Sequence, residues 1–208
     1  MAEGAAHATI EGFAAALASD SPTPGGGSAA AAAVALGAAL VGMSARLTLA
    51  RKRFKSVHAE MKRIVARTDA IRGEALALIE ADADAYAGLL ESYRLPRAAK
   101  AARAEAIGTA ALAASRVPAE VGELALEVIE LSGAAISEAN PNVRCDAAAG
   151  AALARGAMRI CEMNIAANIG SVADDAARAA LERSCERFRD ALARADAAAD
   201  GVLAELRS

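Results

Sequence analysis

Apolar residues recur along most of this 208-residue chain at three- and four-residue spacings, the pattern of helices packed through one face. From Thr9 to Ser19, Ile10, Phe13, Ala14 and Leu17 share one side, and Asp20-Ser21-Pro22-Thr23-Pro24-Gly25-Gly26-Gly27 then interrupts the pattern. The stretch Ser28 to Ala50 is predicted as one helix with Ser28 as its N-cap. It is apolar on every side until Ser44, Arg46 and Thr48, so it should run through the middle of the fold. A basic run, Arg51-Lys52-Arg53-Phe54-Lys55, leads into a third helix from about Ser56 to Glu91, striped by Val57, Met61, Ile64, Val65, Ile71, Leu76 and Ile79. Pro96 closes the next loop. A shorter helix follows over Ala98 to Ala114, then one with Pro118 in its first turn that runs to Ala139. Asn140-Pro141 is the second strong break, before helices over Asn142 to Gly170 and Asp174 to Leu206. The expectation is an all-α fold of about seven helices in a single bundle-like domain spanning residues 1–208.

Composition supports this reading. Alanine supplies 63 residues, Trp is absent and only five residues are aromatic, which favours helices over a β-rich core. Small side chains bury little area each, so the helices must approach closely, and a homodimer is expected to supply further buried surface. With 23 basic and 26 acidic residues interspersed, no basic face for nucleic acid stands out. Ser28 to Ala45 is uncharged and just reaches membrane-spanning length. It is mostly Ala and Gly, however, so a core helix is the preferred reading and no membrane partner is expected. Cys145, Cys161 and Cys185 define neither a disulfide framework nor, with His7 and His58, a zinc site, and a cytoplasmic location is expected.

Candidate chemistry gathers at four places. Pro24-Gly25-Gly26-Gly27-Ser28 feeds directly into a helix start, where free N–H groups converge. Read locally, it is either an anion site or a hinge into a crowded helix, and it matches neither nucleotide-binding glycine motif. Asp82 and Asp84 lie roughly 200° apart around a helix, so one of them should be solvated, and Tyr86 follows one turn after Asp82. Asn142 and Asp146 share a helix face, as do Asn164 and Asn168. Asp146 and Asn164 are separated by roughly 27 Å along the axis, too far to meet one reacting atom in one subunit. The Arg51–Lys55 run is either a solvated junction or a clamp for a polyanion. Acid–base and electrostatic chemistry by Asp, Lys, Arg and Asn is what this set supports, with no metal and no tightly bound cofactor.

Taken together, Pro22-Thr23-Pro24-Gly25-Gly26-Gly27-Ser28, the basic run ending at Phe54, Asp82 with Tyr86 and Leu95-Pro96, and Asn140-Pro141-Asn142 through Asp146 to Asn164 and Asn168 resemble the cyclodeaminase/cyclohydrolase family in order and spacing. That family includes the cyclodeaminase domain of formiminotransferase-cyclodeaminase and stand-alone methenyltetrahydrofolate cyclohydrolases. The resemblance implies an all-helical dimer acting on one-carbon units carried by tetrahydrofolate. It implies that Gly25, Gly26, Gly27, Ser28, Lys52 and Arg159 bind anionic or polar parts of the folate. Asn142, Asn164 and Asn168 would hydrogen-bond its ring system, with Asp82, Asp146 and Lys52 as the catalytic set. The chain departs from the family pattern at Ala50, Cys145 and Ala147, and its loop after Pro96 looks shortened. The activity so implied is hydrolysis of 5,10-methenyltetrahydrofolate to 10-formyltetrahydrofolate. The alternatives are a cyclodeaminase releasing ammonia from the 5-formimino form and a non-catalytic folate-binding or scaffolding protein.

Overall fold

A computed structural model describes residues 9–207; His7 lies outside them. Six α-helices account for most of those residues: α1 (Ile10–Leu17), α2 (Gly26–Leu49), α3 (His58–Arg94), α4 (Lys100–Glu138), α5 (Arg144–Ile169) and α6 (Asp175–Arg207). Two short 3-10 turns, Lys52–Val57 and Pro141–Val143, precede α3 and α5. No strand occurs among the described residues.

The sequence predicts seven helices because Pro118 reads as a helix start. In the structure α4 runs through it for 39 residues, with Pro118 buried in its interior. Packing of α4 against α3 and α5 sustains the helix across the backbone hydrogen bond that proline cannot make.

The central element is α2. Gly27, Ala30, Ala31, Val34, Ala35, Ala38, Val41 and Ala45 are all buried on it, and it packs on α3, α4 and α5. Its length and hydropathy would suit a membrane span, and 61% of its most apolar window is buried inside this fold. Helices α3 and α5 flank it, both antiparallel to it. Along α3, Ser28 meets Asp82 while Arg46 meets Asp69. Along α5, Gly26 lies near Asn164 and Ser44 hydrogen-bonds Val143.

The α2–α5 approach depends on two glycines. A Cβ at Gly37 would stand 2.8 Å from the carbonyl oxygen of Gly150, and one at Gly150 would stand 2.7 Å from that of Gly37. Neither helix could bring its backbone this close with an alanine at the crossing. Helix α6 closes the far side through Phe188, fully buried over Gly122 of α4.

Candidate active site

At its N-terminal end α2 begins one turn earlier than the serine suggests: Gly25 occupies the N-cap position and Ser28 lies in the first turn, completely buried. Ser28 therefore does not cap with its own side chain. Its backbone N–H donates to Asp82 Oδ2 at 2.7 Å and its hydroxyl donates to the same oxygen at 2.8 Å. The anion at this helix start is the protein's own carboxylate, delivered from α3. Gly27 is the cradle for it, since a Cβ there would overlap the Asp82 carboxyl group. Asp82 Oδ1 accepts no hydrogen bond among those described. Asp84, two residues on, is exposed.

A cavity of about 280 Å³ opens beside this carboxylate, lined by Pro22, Gly25, Gly26, Gly27, Asp82, Tyr86, Ala114, Asn164 and Asn168 among others. The antiparallel run of α5 brings Asn164 and Asn168, one turn apart, against the start of α2. The Asn168 amide Nδ2 donates to the carbonyl of Ala114 at 3.4 Å, whereas no described hydrogen bond holds the Asn164 amide. Gly25, Gly26, Gly27, Ser28, Asp82, Asn164 and Asn168 thus come together from segments far apart in sequence. Ala114 carries no chemical signal of its own; its only flag is the proline four residues later. Behind the site, burial pushes the fully buried Cys161 thiol up to about 12, and the Asp82 charge adds to the shift. The thiol is therefore held neutral.

A second cavity, of about 550 Å³, lies at the opposite end of α2 and is lined by Ala50, Arg51, Lys52, Arg53, Asn140 and Asn142. Two buried hydroxyls of α2 build it. Thr48 Oγ1 accepts the backbone N–H of Asn140 at 2.9 Å, and Ser44 Oγ donates to the Val143 carbonyl at 3.0 Å. The turn tethered in this way presents Asn140 Oδ1, which accepts the Asn142 N–H at 3.2 Å and Arg53 Nη2 at 3.4 Å. The Arg53 guanidinium also stacks 4.7 Å from the centroid of the Phe54 ring. No described ion pair holds Arg51, Lys52, Arg53 or Lys55, although most arginines elsewhere have an acidic partner. A concave surface carrying this much uncompensated positive charge suits a multiply charged anion.

The 24 residues of α2 put about 36 Å between these two cavities. Lys52 and Asn142 therefore stand far from Asp82 within one subunit. Asp146 follows in the first turn of α5, half-buried, and lines neither cavity. Arg159 is exposed and lines neither; its guanidinium bonds Glu162 at 2.7 Å. Glu162 also accepts from Arg189 at 2.6 Å. Burial works to raise this carboxyl, but the hydrogen bonds from Arg189 and Arg159 outweigh it and hold Glu162 below its ordinary value. No cluster of His, Cys, Asp and Glu that could hold a metal ion occurs among the described residues.

Residues 9–187 match the model of a family described as formiminotransferase-cyclodeaminase. The chain is 33% identical over 207 residues to a methenyltetrahydrofolate cyclohydrolase of Methylorubrum extorquens, covering 98% of each protein. It is 29% identical over 186 residues to a pig formimidoyltransferase-cyclodeaminase, which corresponds to 85% of this chain and 33% of that protein. Its fold matches the crystal structure of a formiminotetrahydrofolate cyclodeaminase from Thermotoga maritima with a TM-score of 0.88, at 21% identity and with 97% and 98% of the two chains covered.

Proposed function

The chain belongs to the formiminotransferase-cyclodeaminase family, and on that premise we propose that it is an enzyme hydrolysing 5,10-methenyltetrahydrofolate to 10-formyltetrahydrofolate. The observation that carries the reading is the Asp82 carboxylate, fixed through one oxygen by both donors of Ser28 and facing the cavity that also holds Asn164 and Asn168. Similarity to a cyclohydrolase over essentially its full length supports it.

In this reading the cavity of about 280 Å³ receives the fused ring and the cationic methenyl bridge, while the longer remainder of the folate lies outside. Asp82 stabilises the bridge charge and takes a proton from an attacking water through Oδ1. A C–O bond forms at the bridge carbon, and the bond from that carbon to N5 then breaks, leaving the formyl group on N10. The proton taken up by Asp82 is passed to N5, and the second water proton is released. Asn164 and Asn168 hydrogen-bond the ring.

A homodimer completes this site. Leu36, Met43 and Leu47 recur at helical spacing as an exposed apolar stripe down one face of α2, and Leu153 and Met163 are exposed on the adjacent α5. Two copies joined by a two-fold axis through this face can set their α2 helices parallel or antiparallel. The parallel arrangement would oppose two uncompensated Arg51–Lys55 clusters, whereas the antiparallel one brings this cluster from one subunit to the Asp82 end of its partner. Lys52, Asn142 and Arg53 then bind the anionic tail of a folate whose ring sits in the neighbouring subunit's cavity.

The test is the decay of 5,10-methenyltetrahydrofolate absorbance with purified protein, run beside ammonia release from 5-formiminotetrahydrofolate. Accelerated decay without deamination is the expected result. Ammonia release would instead favour a cyclodeaminase, the reading supported by the pig relative. Folate binding without either reaction would leave a non-catalytic folate protein.

A further inference from the structure

Pro118 sits in the interior of α4, where a proline removes the hydrogen bond to the carbonyl four residues earlier and its ring pushes that carbonyl away from the helix axis. The carbonyl in question belongs to Ala114. Two independent features identify where it has gone: Ala114 lines the cavity beside Asp82, and its carbonyl oxygen accepts the side-chain amide of Asn168 at 3.4 Å. The orphaned acceptor is paired with an asparagine from another helix, inside the candidate active site.

We propose that Pro118 is a positioning residue for substrate recognition: by withholding its N–H it turns the Ala114 carbonyl toward the cavity, where that carbonyl captures Asn168 Nδ2 and leaves Asn168 Oδ1 as the acceptor for the substrate ring. An asparagine amide can face either way, and in a polar cavity its two ends compete for the same ligand. Committing Nδ2 to a backbone acceptor resolves that ambiguity. The ligand it selects presents N–H donors, which the aminopyrimidinone edge of a reduced pterin supplies. The inference rests on the folate reading for the identity of the ligand, though not for the carbonyl–amide pair itself. It also accounts for a proline at a position where the helix would be more stable without it.

Pro118→Ala restores the ordinary backbone donor to the Ala114 carbonyl, so the variant should fold with an unchanged or higher melting temperature. The KM for 5,10-methenyltetrahydrofolate should rise about threefold to tenfold with kcat nearly retained, the scale of one hydrogen bond. In the ligand-free protein, the Asn168 side-chain amide resonances should shift. Asn168→Ala should raise KM, and adding Pro118→Ala to it should change nothing further, because the two act through one contact. Additive effects in the double variant, or an unmoved Asn168 amide, would overturn the proposal. If the wild-type protein neither binds nor turns over the methenyl compound, the folate reading fails, and the ligand-free amide shift then decides the Pro118 inference separately.

Discussion

Asp82 Oδ2 receives both the backbone N–H and the hydroxyl of Ser28, at 2.7 and 2.8 Å, across 54 positions of sequence. One contact thereby caps the central helix and orients the carboxylate at the edge of the cavity. Stability and activity are coupled at this point. Asp82→Asn keeps the shape and removes the charge and the basicity, so kcat for methenyl hydrolysis should fall by about 10²–10⁴-fold. Wild-type turnover in that variant, measured by absorbance decay, would remove Asp82 from the mechanism.

Gly27→Ala should fail for a steric reason, since the added methyl group would occupy the space of the Asp82 carboxyl group. Displacing that group should cost about 1–3 kcal/mol and activity together. Gly122→Ala provides the contrast: its methyl would meet the buried Phe188 ring, and neither residue lines the cavity. Thermal unfolding should register a comparable loss there, with kcat retained below the melting temperature.

The proposed antiparallel dimer makes a quantitative claim about mixed subunits. Asp82→Asn and Lys52→Ala are each expected to be impaired as homodimers. Co-refolding the two in equal amounts should return about one quarter of wild-type activity, because half of the dimers are mixed and each mixed dimer carries one intact site. No recovery would mean that both residues act within a single subunit.

Thr48→Val preserves shape while leaving the buried Asn140 N–H without its acceptor. The tethered turn should loosen, destabilising the fold by about 1–3 kcal/mol. It should also raise KM for substrates carrying several glutamates more than for the monoglutamate. Equal KM changes for both substrates would separate this turn from tail binding.

Two groups give opposite pH dependences. Burial pushes the Cys161 thiol up to about 12 from its ordinary 9.0. The stability it contributes is complete below pH about 9 and declines from there as pH rises through its folded value. The Arg189 and Arg159 guanidinium groups hold Glu162 below its ordinary value of 4.5, so its contribution is present above that value and is lost as pH falls through its folded value. Urea unfolding of Cys161→Ala should accordingly show a flatter alkaline limb than the wild type, and Glu162→Gln a flatter acid limb.

Helix periodicity made most of the architecture legible, because alanine-rich amphipathic segments have few alternatives. Pro118 was the exception: local chemistry reads it as a helix start, and only packing from α3 and α5 shows that α4 continues through it. Glycine at the start of α2 was readable as an anion site, but that the anion would be Asp82 depends on the antiparallel register of α2 and α3. Helix rise alone separates Asp146 from Asn164. Resemblance groups Arg159 with the substrate ligands, whereas its pairing with Glu162 is a property of the folded surface.

The continuous α2 also serves as a ruler with discrete graduations. Adding or deleting one residue between Ser28 and Thr48 would change the spacing of the two cavities by only about 1.5 Å, but would rotate one relative to the other by about 100°. Side chains along this helix can therefore be exchanged more freely than their number can change. Across the family, variation in chain length is accordingly expected in the loops around Pro22 and Pro96, with the residue count of α2 held fixed.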